Sequence, residues 1–134
     1  MIDKQNEIFT TFASAVRFVH EGVTVRGEYM RSPSAFPTVT LEEIENVTVP
    51  TLLDSSREEG YVGVTYRLQV FSNKAGEKRS EARAILATAD NVMRAMGFRR
   101  VSYATTPEIY DSTIYSIIAT YEAIVDKDGV TYKR

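Results

Sequence analysis

The order of apolar patterns along the chain predicts an α+β domain: one largely antiparallel or mixed β-sheet of about five strands with two packed helices, in the order α-β-β-β-α-β-β. Three observations carry this expectation. Two segments repeat apolar residues at helical spacing, five others are β-rich or alternate with a period of two, and the strands come in runs rather than strictly alternating with helices. At 134 residues the chain is the size of one domain, read here as spanning 1–134, and 43% hydrophobic with 25% charged residues is an ordinary folding composition.

Residues 3–20 place Ile8, Phe12, Ala15, Val16 and Val19 on one helical stripe, and Gly22 stands where a left-handed helix end is wanted. Residues 23–30 alternate, with Val23, Val25 and Tyr29 on one side and Arg26 and Glu28 on the other, which is a strand. Pro33 and Pro37 then interrupt the pattern and predict a loop over 32–37. From Thr38 to Val49 the run is again β-rich, but Ile44 falls out of phase with Val39 and Leu41. A bulge near Glu42-Glu43 would restore the phase and turn Ile44 inward.

Residues 50–60 read as a second long loop. After it Val62, Val64, Tyr66, Leu68 and Val70 alternate with Gly63, Thr65, Arg67 and Gln69, the clearest half-buried strand in the chain. Turn residues 72–76 lead into a second helix, marked by Ala82, Ile85, Leu86, Ala89, Val92, Met93 and Met96 and ended by Gly97. Residues 98–105 predict a strand interrupted at Pro107. The run 112–126 fits both periods. Its β-branched and aromatic residues, stiff at the first side-chain torsion, decide for a strand. Asp128-Gly129 then turns the chain into a short ending at Val130-Thr131-Tyr132.

Little in this sequence points to chemistry. There is no Cys and one His, which removes thiolate metal sites, thiol nucleophiles, disulfides and three-His metal centres. A triad would need His20 beside Ser55 or Ser56 with Asp54 orienting it, and no nucleophile-elbow pattern surrounds either serine. The simpler reading of His20 is a surface residue at a helix C-terminus. Glu42, Glu43 and Glu45 could be offered as acid/base or metal carboxylates, with Glu43 and Glu45 sharing a face of an unbroken strand, but no second cluster accompanies them. Gly76-Glu77-Lys78-Arg79-Ser80 lacks the adjacent Gly-Lys of a phosphate loop, and Gly60-Tyr61-Val62-Gly63 enters a strand instead of leaving one. Asn46-Val47-Thr48 matches a glycosylation pattern, but the start of the chain lacks the basic-then-apolar order of an export signal. No catalytic residue, cofactor or metal is expected, and no run of 18 apolar residues predicts a membrane span.

Charge is distributed unevenly. Residues 1–60 carry 10 Asp/Glu and 5 Lys/Arg, net −5, while residues 61–134 carry 8 and 11, net +3, which together give −2. Lys74, Lys78, Arg79, Arg83, Arg94, Arg99 and Arg100 crowd the second helix and its flanks. A nucleic-acid patch is one reading, without aromatic interleaving or a recognition motif to support it. The other is a head-to-tail contact between copies, in which Arg79, Arg83, Arg99 and Arg100 meet the acidic stretch holding Glu42, Glu43, Glu45, Glu58 and Glu59 of a neighbour.

Several segments, in order, resemble the tail terminator (tail completion, head-tail joining) proteins of tailed bacteriophages. They are Phe36-Pro37-Thr38-Val39-Thr40-Leu41-Glu42-Glu43, Tyr66-Arg67-Leu68-Gln69-Val70-Phe71-Ser72-Asn73-Lys74-Ala75-Gly76, Met96-Gly97-Phe98 and Asp111-Ser112-Thr113-Ile114-Tyr115. The resemblance covers about residues 5–133 and rests on the order and spacing of short motifs. It implies a non-enzymatic virion subunit, assembled in the host cytoplasm, that forms a homo-oligomeric ring, usually a hexamer, on the head-proximal end of the tail tube. Its implied partners are further copies of itself, the tail tube protein and the head-tail connector or neck protein, with no membrane and no sequence-specific nucleic acid, although DNA passes through such a ring. The alternatives left open are another connector or neck protein of similar fold, the cap of a tail-like bacteriocin, or, from a different class, a small-ligand-binding or hydrolytic α+β domain.

Overall fold

A computed structural model of the chain describes residues 3–27, 35–48, 61–106, 114–126 and 131–132. Among these residues two helices, α1 (Gln5–Val19) and α2 (Lys78–Ala95), lie with a mixed sheet built from β1 (Thr24–Arg26), β2 (Thr38–Thr48), β3 (Tyr61–Ser72), β4 (Arg99–Thr106), β5 (Tyr115–Asp126) and β6 (Thr131–Tyr132). The strand order is β1-β2-β3-β5-β4, with β6 paired to β5 beyond the end of β4. Among the described residues only β1 against β2 is parallel, and the other pairs are antiparallel. This is the expected α+β architecture with its expected element order, the short β6 being added at the end.

The helical stripes cover one face of the sheet. From α1, Ile8, Phe12, Ala13 and Val16 are buried, and from α2, Ala82, Ile85, Leu86, Ala89 and Met93. They meet Val39 and Leu41 of β2, the even-numbered positions Val62–Val70 of β3, and Ile117, Ala119, Tyr121, Ala123 and Val125 of β5. Val19, expected on the α1 stripe, is instead 58% exposed. It sits one residue before the helix gives way to the extended His20, so the stripe ends a turn early. At the other end of α2, Gly97 has φ +97°, its N–H bonds the Arg94 carbonyl, and the Phe98 N–H bonds the Met93 carbonyl. That is the pairing of a left-handed helix end, and it drops Phe98 edge-on against Tyr66, with ring centroids 5.4 Å apart.

The bulge expected in β2 is present but does something different. The register runs Glu43↔Tyr66 and then Glu45↔Thr65, so Ile44 is the extra residue, and it is 46% exposed rather than turned inward. A second bulge in β4 leaves Val101 unmatched between Arg100↔Tyr121 and Ser102↔Thr120. The odd side of β3, expected to be solvated, is buried toward its end: Gln69 and Phe71 are nearly inaccessible, together with Thr38, Thr40 and Ser116 on the same face. The loop expected over 50–60, the Asp128-Gly129 turn and residues 28–30 of the first predicted strand lie outside the described residues.

Candidate interaction surfaces

The two bulges control which way the charged residues point. Directly opposed residues of an antiparallel pair share a face. Glu43 lies opposite the buried Tyr66 and therefore on the helix side, whereas Glu45, opposite Thr65, and Glu42, opposite Arg67, lie on the other side. The extra residue thus separates Glu43 from Glu45, which an unbroken strand would have kept together. Glu42 pairs with Arg67 across the strands at 2.6 Å. Glu45 is exposed, and Glu58 and Glu59 lie outside the described residues.

Following the register laterally, one row of the sheet reads Glu45, Thr65, Glu122, Arg99 on the open face, and the adjacent row reads Glu43, Tyr66, Tyr121, Arg100 on the helix face. Acidic residues of β2 and basic residues of β4 therefore stand at the same height at opposite ends of the same rows. With about 4.8 Å between strands the separation is about 14 Å. That exceeds the screening length of about 8 Å at physiological salt, so the two charged edges do not neutralise each other within one chain.

The four predicted arginines divide into two classes. Arg79 and Arg83 are exposed on α2 and make no ion pair among the described residues. Arg99 is held by Glu122 on the open face. Arg100 contacts Asp90 at 3.2 Å and lies 5.5 Å over the Tyr103 ring. Arg99 and Arg100 thus have partners at home, which the sequence reading did not anticipate.

The anchor of Arg100 is a polar node that the sequence did not reveal. Asp90 is 9% exposed in the middle of α2 and accepts a 2.6 Å hydrogen bond from the buried Tyr121 hydroxyl, with Arg100 at 3.2 Å and Arg94 at 4.0 Å. Burial, reinforced by this negative acceptor, pushes the Tyr121 hydroxyl pKa well above its ordinary value of 10.0. The available signal was weak: an Asp beside an apolar helical stripe whose partner comes from a strand 31 residues away. Between α2 and β4 the same node borders an open groove of about 820 Å³ lined by Asn91, Arg94, Phe98 and Arg99 among others. A neighbouring hollow of about 330 Å³ adds Arg83, Leu86 and Tyr103.

Of the residues named for the hydrolytic alternative, only His20 is described. His20 Nε2 lies 2.7 Å from Thr88 Oγ1, and the Thr88 hydroxyl also reaches the Ala84 carbonyl, so the imidazole links the end of α1 to α2. It is half-buried rather than a free surface group. Asp54, Ser55 and Ser56 lie outside the described residues. Among the described residues no group of three or more His, Cys, Asp or Glu side chains is arranged to hold a metal ion, and no helix is long and apolar enough to cross a membrane.

No protein-family model matches this sequence, and no curated protein matches it.

Proposed function

We propose that the chain is a structural subunit that associates head to tail into a closed ring and caps the head-proximal end of a phage-type tail tube, stopping its growth and offering a surface to the head connector. The observation that carries this reading is the lateral row: acidic residues on β2 and basic residues on β4, at one height and at opposite ends of the row. Opposite edges make a heterologous contact, which generates rings or filaments, and contact at equal height adds no axial rise, which favours a ring. The bulged Ile44 and Val101, 46% and 48% exposed, sit on these two edges beside the charges. They supply an apolar contact where ion pairs alone would contribute only about 0–1 kcal/mol each.

The tail-cap assignment draws on the motif resemblance. A stacked tube has an open growing end, and a non-identical ring with one face fitted to the tube terminates it. Weak contacts of single subunits then act together through the valency of the ring. The test is native mass spectrometry of the purified chain across a salt series. A single closed oligomer that dissociates as salt rises is the expected result; a strict monomer at all concentrations and salts would remove the ring.

A further inference from the structure

The groove of about 820 Å³ between α2 and β4 has Asn91, Arg94 and Ala95 on its helical wall and Arg99 and Arg100 on its strand wall, with Phe98 where one element runs into the other. The neighbouring hollow continues it along α2 toward Leu86 and Tyr103. Charge in the groove is unbalanced. Among its described lining residues the one carboxylate, Asp90, already accepts the Tyr121 hydroxyl and lies 3.2 Å from Arg100. Arg99 is turned to Glu122 on the open face. Arg94 reaches Asp90 only at 4.0 Å, and its side chain is 69% exposed, so its guanidinium has N–H groups available to a ligand. Beside it the exposed Asn91 amide offers both a donor and an acceptor. The hollow is apolar by contrast, with the Leu86 side chain and the Tyr103 ring, 48% exposed, on its border.

We propose that this groove holds an extended acidic segment of a partner polypeptide, with one carboxylate on Arg94 and, four residues along the segment, an apolar side chain in the hollow between Leu86 and Tyr103. The spacing follows from the helix. Leu86 and Arg94 are separated by about 12 Å along α2, and four residues of extended chain span about 13 Å with both end side chains on one face. The planar guanidinium of Arg94 matches a carboxylate through two parallel N–H groups, and the Asn91 amide can meet a peptide group donor to acceptor. A nucleic-acid strand fits the groove less well, because it needs several phosphate contacts and open aromatic faces. Asp90 repels a chain of phosphates, Phe98 is 4% exposed, and Arg100 already lies over the Tyr103 ring. The groove is on the helix side, whereas the row that carries Glu45 and Arg99 is on the open face, so the inference goes beyond the ring reading and does not need it.

The probes are two blocked synthetic peptides, acetyl-Gly-Glu-Ser-Thr-Ser-Leu-Gly-amide and its reverse, acetyl-Gly-Leu-Ser-Thr-Ser-Glu-Gly-amide, which present the acidic and apolar side chains in both chain directions. Each is titrated to millimolar concentration into the full chain at low salt while NMR follows the Asn91 side-chain amide and the Arg94 Nε–H. Saturable shifts with one of the two are expected. Binding should weaken about 10-fold or more when the peptide's Glu is replaced by Gln, and as much in Arg94→Gln, yet stay unchanged in Arg17→Gln, which removes the same charge from the exposed side of α1. Replacing the peptide's Leu by Ser should weaken it by a smaller factor. Linear shifts with both peptides, or equal shifts from the Glu and Gln peptides, would overturn the assignment. Tighter binding of a thymidine dodecanucleotide to the same residues would make the occupant nucleic acid, and loss of peptide binding as the chain concentration is raised would make it another copy; either result refutes the proposal. Native mass spectrometry reads the ring separately, so a chain that stays monomeric and binds the peptide loses the ring and keeps the groove.

Discussion

Replacing Tyr121 with phenylalanine removes one oxygen from the centre of the molecule and isolates the role of the Asp90 node. The lost contact is a 2.6 Å hydrogen bond from a fully buried hydroxyl to a carboxylate that is 9% exposed. Hydrogen bonds to charged groups contribute about 1.5–3 kcal/mol, and Asp90 keeps Arg100 at 3.2 Å, so we expect Tyr121→Phe to cost about 2 kcal/mol. Asp90→Ala strands the buried Tyr121 hydroxyl, whereas the Arg100 side chain is 45% exposed and stays solvated, so the expected cost is about 2–3 kcal/mol. Because the two residues share one bond, the double variant should cost about 1–2 kcal/mol less than the sum. Urea unfolding followed by circular dichroism reads all three. Costs below about 0.5 kcal/mol that simply add would show that the node does not hold α2 to β5. The same tyrosine sets a pH dependence. Its folded pKa is raised above the unfolded value of about 10, so its contribution is intact below pH 10 and is lost as pH rises further. Each such buried tyrosine removes about 1.4 kcal/mol per pH unit there, and Tyr121→Phe should flatten the alkaline slope by that amount.

Other expectations are more local. Glu43→Gln should stabilise the isolated chain at pH 7, because a carboxyl raised by burial penalises folding once pH exceeds its unfolded value near 4.3; the gain in melting temperature should vanish as pH is lowered through that range. Thr88→Val should lower stability by about 0.5–1.5 kcal/mol by cutting the link from His20 to α2, which thermal melts would detect, and no change would mean that water replaces the hydroxyl. Reversing Arg79 and Arg83 to Glu should abolish self-association at low salt, measured by sedimentation, while leaving the melting temperature within about 1 °C; unchanged assembly would rule out α2 as the basic contact.

The parts of the fold legible in the sequence were those governed by local period or local composition. Residues 112–126 had competing helical and strand periods, and the concentration of Ile, Thr, Tyr and Val decided for a strand, which residues 115–126 form as β5 because stiff side chains suit a pleated surface; residues 112–113 lie outside the described residues. Gly97 marked the end of α2 because only a residue free to adopt positive φ closes that turn cheaply. The facing of Glu43 was not legible, since it depends on Ile44 being left out of a ladder with β3, a choice made between strands and not within one. Arg100 and Asp90 were equally hidden: each looks like a surface charge in its own segment, and only the crossing of α2 over β4 and β5 brings them together beneath the Tyr121 hydroxyl. The charge asymmetry was visible as a count, whereas its arrangement in one lateral row required the register.

The account as a whole is tested most directly by removing the coding sequence from the particle that carries it and measuring tail lengths by electron microscopy. Overlong tails of variable length, without heads attached, are the predicted outcome, and supplying the intact chain should restore uniform length. Tails of normal, uniform length joined properly to heads would contradict the proposed cap.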